Sequence, residues 1–492
     1  MASNINSVLE VSATAPTDRY RVLVPKRQPW LALVMAAIVL LPFLHKAYTI
    51  DDPVFLREAQ NVLVDPLHPS AFEMVWASER HLRASEFLPG GPLAAYMLVP
   101  LALADWQEWA GHLLMLAYLC IAILATAALA RRFGLSPWGQ QAAALLTASS
   151  PVALGMAGTL MPDVPALMFT ALGMERLMAW IHEHHRRAGL LAALFLALAV
   201  LARINLVVLL AIAGYYALRQ SWFSRKDWHN VVPVVLAGAL VLVGLLVTRD
   251  PDMTGGSFVS AIGKQLGFDF SGRHAVALVI AYLTTTPLLA ALLTRRGLQP
   301  SGLLWAWLLV PVPVIAYVQI APKYLLPALP AVAILAAHGL DRIAARDRIL
   351  LGLTTVGAVL GFLILSADAR MAGAGRGAAA QLIRPRVDAG ERVWFAGHWG
   401  FHWYAKAAGA VPLTVDGPFP VRGDIIVSSS VDRPVGLLPR VPRKLIETWG
   451  SSDPSGQVMS RNAGFYSDLW GLLPWWWERP LGPGFQVWRV TR

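Results

Sequence analysis

The chain has 492 residues, 56% of them hydrophobic and 14% charged, with a formal net charge of +11 and a mean hydropathy of +0.52. Those values exclude an ordinary soluble domain and mark an integral membrane protein. The positive balance comes largely from basic clusters that flank apolar runs, so it points to anionic lipid and away from nucleic acid as a partner.

Residues 1–29 read as a cytoplasmic segment, with Arg19, Arg21, Lys26 and Arg27 ahead of the first apolar run, Trp30 to Ile50. That run carries His45 and Lys46 near its end and has no small-residue cleavage site, which predicts a retained helix. Two adjacent carboxylates, Asp51 and Asp52, follow at once. Charges at the mouth of a membrane helix are costly near hydrocarbon, so such a pair faces water, a cation or a reacting group. Asp-Asp-Pro also suits the start of an external helix at Pro53.

A large first external loop, 51–109, then carries the polar residues Glu73, Glu79, Arg80, His81, Arg83 and Glu86. His81 and Arg80 are candidate cavity residues, His81 for phosphate or metal, against a reading as plain loop polarity. Pro92 to Ala104 is too short to span and predicts an interfacial helix anchored by Trp106 and Trp109. With about 20 residues needed per crossing, further spans are expected near 110–130, 138–158, 163–181, 188–202, 204–219, 231–249, 274–294, 302–320, 324–340 and 349–367. The apolar stretch 188–219 has basic clusters at both ends, so it reads as two short helices turning near Arg203 and Asn205.

About eleven spans put the basic clusters in the cytoplasm and place 159–162, 250–273, 321–323 and 368–492 on the external face. Asp163 opens a helix there, where it can serve the exposed amides and the dipole or stand at the rim of a cavity. His182-Glu183-His184-His185 falls on the cytoplasmic side with no zinc spacing and reads as a solvated turn. Cys120 lies within an apolar run and rules out a disulfide scaffold. Residues 368–492, richer in Gly, Pro and charge, show β-like runs at Arg392 to Ala396, Asp424 to Ser429 and Phe485 to Val490, and predict a small α/β extracytoplasmic domain. Its aromatics at 397–404 suit either a packed core or a sugar-binding face, and Trp475-Trp476-Trp477 suits the headgroup layer.

The order of these motifs resembles the membrane glycosyltransferases of the C-type fold, in particular family 39 and the aminoarabinose-transferase-like group. The resemblance covers 30–367 and rests on Asp51-Asp52-Pro53, Arg57-Glu58-Ala59, Gly91-Pro92-Leu93, Pro162 to Pro165, Arg203 and the run Pro322 to Pro330. It departs at Gly90-Gly91-Pro92-Leu93, where relatives often place His or Lys before Pro-Pro-Leu. It departs again at Lys323-Tyr324, where many have Arg-Tyr, so that a point charge replaces a bidentate fork. What the resemblance implies is a hexosyl- or pentosyltransferase of the bacterial inner membrane. It would move a sugar from a polyprenyl-phosphate donor to a lipid, glycan or protein acceptor on the periplasmic face. Asp51 or Asp52 would be the general base, with Asp51 matching the family's first acid, and Lys323, Tyr324 and Arg203 would meet the donor phosphate. A divalent metal at the acidic pair stays open. The alternative is a transporter or flippase for lipid-linked sugars; the gathering of polar motifs on one face and the lack of a detected internal repeat speak against it.

Overall fold

The computed structural model describes residues 29–76, 79–87, 91–183, 185–222, 231–253, 272–294, 302–430, 438–451, 453–480 and 484–492. Gly90 of the Gly-Gly-Pro-Leu motif, His184 and most of the 250–273 loop lie outside the described residues.

Helix α1 (Trp30–Leu40) is shorter than the expected 30–50. Pro42 has no N–H to continue it, and the chain tightens into a 3-10 turn at Leu41–Phe43 before running irregularly to Asp51. Helix α2 (Asp52–Val62) starts where the Asp-Asp-Pro sequence indicates and buries Val54, Phe55, Leu56, Ala59 and Val62. A short helical unit also forms where Pro92 to Ala104 is expected to hold one: α3 (Leu93–Leu98) continues as a 3-10 turn, Val99–Ala104. Its approach explains Gly91, because a Cβ there would stand 1.8 Å from the Leu201 carbonyl oxygen, two residues before Arg203.

Among the described residues, four helical stretches are long and apolar enough to cross a membrane: Glu108–Arg132, Asp163–Glu183, Pro322–Leu340 and Arg346–Asp388. Label the first α4 (Glu108–Arg132). Several other expected spans are broken, each at proline. The 138–158 span is α5 (Pro137–Ala148) and α6 (Pro151–Ala157), parted at Pro151. The 274–294 span is α11 (Gly272–Thr285) and α12 (Leu288–Leu293), parted at Pro287, and their predecessors are α7 (Asp163–Glu183), α8 (Arg186–Ala202), α9 (Val207–Trp222) and α10 (Val231–Val247). The 302–320 span holds only α13 (Gly302–Leu308) and a 3-10 turn, Val312–Ala316, which follows Pro311 and carries Pro313 as its second residue. Helix α7 is largely enclosed, packed between α4 and α8. The turn between α8 and α9 falls at Arg203, as the charge pattern indicates.

A 3-10 stretch, Pro322–Ala328, leads into α14 (Leu329–Leu340). Helix α15 (Arg346–Ala378) then runs on through a π turn, Ala379–Ile383, to a last helical segment ending at Asp388. The expected boundary at 367/368 thus lies inside a continuous helix, whose Ala-Gly-rich sequence continues without a breaker.

Beyond it, β3 (Val393–Ala396), β4 (Val411–Pro412), β5 (Ile425–Ser429), β6 (Arg443–Trp449) and β9 (Phe485–Val490) form one sheet in the order β4-β3-β5-β9-β6. Strand β3 is parallel to β4 and β5; β9 is antiparallel to β5 and β6. Side chains alternate as a pleated strand requires. Val393 and Phe395 pack with Leu382, Ile383 and helix α16 (Trp399–Ala407), whereas Trp394 packs with Ile426 and Leu413 on the other face. Between β6 and β9 the chain makes an excursion, with a small hairpin of β7 (Ser455–Gln457) and β8 (Trp476–Glu478). Val458, Met459, Phe465 and Tyr466 of this excursion join the core of the helical part. It is this segment, more than the sheet, that ties the C-terminal region to the site.

Candidate active site

The two adjacent carboxylates have different surroundings. Asp52 is fully buried: its Oδ2 accepts from the Thr49 amide at 2.9 Å and its Oδ1 from the Leu160 amide at 2.7 Å. Beside it, Lys46 Nζ pairs with Asp368 Oδ2 at 2.8 Å and donates to the Gly158 carbonyl at 2.8 Å, while Thr49 Oγ1 donates to Asp368 Oδ1 at 3.1 Å. Lys46, Thr49, Asp52 and Asp368 therefore weld the end of α1, the turn before α7 and helix α15 into one buried polar joint. Burial pushes the Asp52 carboxyl up to about 7, against the pull of Lys46 and the two amides.

Asp51 sits on this joint but is not part of it. The preceding residue, Ile50, has φ 39°, a costly left-handed conformation for a β-branched side chain. Opposite, Trp399 has φ 53°, and Gly400 leaves no room for a Cβ, which would stand 1.9 Å from the Tyr48 carbonyl oxygen. Strained backbone on both sides thus fixes the turn that presents Asp51. Asp51 is half-buried, and among the described residues its carboxylate has no hydrogen bond and no ion pair within 4 Å. Its charge acts on Arg203, Lys323 and Tyr324.

Arg203 leaves α8 in an extended conformation (φ −141°) and pairs through Nη2 with Asp163 Oδ2, while its buried Nε has no partner among the described residues. Lys323 is 9% exposed. Its Nζ lies 3.7 Å from Met161 Sδ and 5.8 Å from the Tyr324 ring centre, and no carboxylate among the described residues comes within 4 Å. Tyr324 stands edge-on to Tyr317, with centroids 5.5 Å apart. Asp51, Asp163, Arg203, Lys323 and Tyr324 are therefore one electrostatic group where α2 and α7 begin, α8 ends and the 322–328 stretch starts. A buried ammonium without a carboxylate is costly unless an anion completes it. A carboxylate held close by can take a proton from an incoming hydroxyl.

No protein-family model matches the sequence, and no curated protein matches it. Solved structures do match. ArnT from Cupriavidus metallidurans bound to undecaprenyl phosphate aligns with a TM-score of 0.59 at 14% identity, over 85% of this chain and 96% of that one. The same protein in the apo state gives 0.57 at 14% identity, over 85% and 95%. The chain has the C-type glycosyltransferase fold. The arabinofuranosyltransferase AftD from Mycobacteria aligns at 16% identity with a TM-score of 0.50, over 95% of this chain and 40% of that one.

Within this C-type fold His81 and Arg80 lie away from the group around Lys323. His81 is on the short hairpin of β1 (Glu73–Val75) and β2 (His81–Arg83), which turns Met74 and Val75 inward and His81 outward. Its amide donates to Asp416 Oδ2 at 2.9 Å and its Nδ1 lies 3.1 Å from Asp416 Oδ1, so it joins the first loop to the C-terminal sheet region. Arg80 is exposed beside it. As for the open question of a metal, no group of three or more His, Cys, Asp or Glu side chains suited to an ion occurs among the described residues, and Asp52 is committed to two amides.

Sequence reasoning passed over Lys46 and Asp368, which it used only as topology markers or not at all. It also passed over Asp250, buried and held bidentately by Arg83 at 2.7 and 2.8 Å. A charge inside an otherwise apolar run was the available signal. Glu58, noted in the sequence only as part of the Arg57-Glu58-Ala59 motif, is a further buried acid. It is buried on α2, accepts from Ser70 Oγ at 2.6 Å, and burial pushes its carboxyl up to about 7 while the Ser70 hydroxyl opposes. Because the folded value lies above the unfolded one, stability is full at low pH and falls as pH rises from the ordinary carboxylate range through 7. Glu58→Gln should leave the melting temperature near pH 4 unchanged and raise it at pH 8, by about 3 kcal/mol in stability. Parallel pH profiles for parent and variant would contradict this assignment.

Proposed function

We propose that this chain is a glycosyltransferase that moves a sugar from a polyprenyl-phosphate donor to an acceptor hydroxyl or amine. The observation that carries the reading is Lys323, a buried ammonium with no carboxylate within 4 Å among the described residues, beside an Arg203 whose Nε has no partner among them. These two cations, with the Tyr324 hydroxyl, suit a phosphate oxygen at the membrane surface. ArnT, which shares the fold, was solved with undecaprenyl phosphate bound, and that ligand matches the chemistry of this cation pair.

In the reaction the acceptor's lone pair forms the new bond to the anomeric carbon as the bond from that carbon to the phosphate oxygen breaks. The acceptor proton passes to Asp51, and the pair of electrons leaves with the polyprenyl phosphate. Lys323 and Arg203 meet the charge that grows on the leaving oxygen, in a site dry enough to strengthen the effect. Asp163 holds Arg203 in place, and Asp52 holds the Asp51 turn. Binding decides the reading: purified protein should retain undecaprenyl phosphate and discriminate against undecaprenol, and equal binding of the two would remove phosphate recognition.

The proposed setting is a bacterial inner membrane, crossed about eleven times, with the hexosyl- or pentosyltransferase site and the C-terminal region on the periplasmic face. The arginines that flank the helices carry the orientation. Ser451→Cys, on the exposed side of the sheet region, should react with an impermeant thiol reagent in cells whose outer membrane is permeabilised. Labelling of Ser451→Cys only after lysis would reverse the orientation.

A further inference from the structure

The segment that carries Lys323 has little regular structure of its own. Tyr317 ends a 3-10 turn in an extended conformation, and no helix resumes until Pro322. Backbone groups at the mouth of a membrane domain need partners. At Ile320 the partners come from the C-terminal excursion. The Asp468 amide donates to the Ile320 carbonyl at 2.8 Å, and Asp468 Oδ1 accepts from the Ile320 amide at 2.7 Å. The other carboxylate oxygen meets His274 Nδ1 at 2.7 Å, and the Asp468 carbonyl accepts from Arg273 Nε at 3.1 Å and Nη2 at 2.5 Å. Asp468 is 2% exposed and His274 6%. One buried residue thus clasps both backbone groups of Ile320, three positions before Lys323, and is itself gripped by the first turn of α11.

We infer that Asp468 is a positioning residue for the donor-phosphate cation, so that the C-terminal region sets the geometry of Lys323 through Ile320. This inference rests on the phosphate reading of Lys323. Asp468 touches neither Asp51 nor Lys323 directly, and its effect passes through the backbone of 320–323.

The experiment is a double-mutant cycle on the full-length purified protein, with undecaprenyl phosphate as the probe and melting temperature measured alongside. Asp468→Ala should weaken binding about 10-fold, and Asp468→Asn, whose amide oxygen still accepts from Ile320, about 3-fold. In a Lys323→Ala background neither should weaken it further, because the cation being positioned is gone. An Asp468 effect that adds in full to that of Lys323→Ala would make Asp468 a general structural support and overturn the inference, as would parent-like binding by both Asp468 variants. Should the alanine variant not fold, the cycle with Asp468→Asn decides. Unchanged binding by Lys323→Ala alone would instead overturn the phosphate reading beneath it.

Discussion

Lys323→Ala is expected to weaken undecaprenyl phosphate binding about 30- to 100-fold, the worth of a charge-assisted hydrogen bond of about 2–3 kcal/mol in a largely dry site. Binding of undecaprenol should not change, so the variant loses the discrimination between the two lipids. Its stability separates this role from snorkelling. A lysine that reaches for lipid headgroups keeps its ammonium wet, whereas Lys323 is buried with its Nζ near a thioether and no carboxylate. Removing an unpaired buried cation relieves a desolvation cost, so the ligand-free variant should melt at the parent's temperature or above it. Added undecaprenyl phosphate should then raise the melting temperature of the parent far more than that of the variant. A variant that melts well below the parent and still binds the phosphate lipid normally would show a packing role and no ligand role.

Asp51→Asn should lower kcat by about 100- to 10,000-fold, the usual contribution of a positioned general base, with donor binding nearly intact. The reason is local. Asp51 has no hydrogen bond or ion pair to lose among the described residues, so the amide costs the fold little. Asp52→Asn is its counterpart and should behave in the opposite way. Both Asp52 oxygens accept backbone N–H groups, and an amide turns a donor toward one of them, at a cost of about 1–3 kcal/mol in stability. If Asp52→Asn folded and melted normally yet abolished turnover while Asp51→Asn worked, the two roles would have to be exchanged.

The ends of the site were legible in the sequence because they obey local rules. Charge next to hydrocarbon marked Asp51 and Asp52; basic clusters at both ends of 188–219 placed the Arg203 turn; proline and glycine marked the short helix after Gly91. The division of labour between the two aspartates was not legible. It depends on Leu160, more than a hundred residues away in sequence, supplying the second amide to Asp52. The Lys46–Asp368 pair was hidden for the same reason, since each residue alone looks like a boundary marker and only the packing of α1 against α15 makes them partners. Helix ends were misjudged at Pro42, Pro151, Pro287 and Pro311, because hydropathy registers the apolar run and is blind to the missing N–H. His81 drew attention as a histidine in a polar loop, but it lies exposed at the start of its strand and is held by Asp416. The aromatic run 397–404 proves to be mixed. Phe401 is in the sheet's core, while Trp399 lies edge-on to Trp470 near the strained Ile50 turn.

Sugar transfer tests the central claim most directly. Purified protein would be given a panel of radiolabelled polyprenyl-phosphate sugars, with parent and Asp51→Asn compared at matched folding. The account predicts that the parent transfers or hydrolyses at least one donor and releases polyprenyl phosphate, and that Asp51→Asn binds the same donor without turning it over. A parent that turns over none of them, yet binds lipid-linked sugar and moves it across a liposome membrane, would contradict the account and make the protein a transporter.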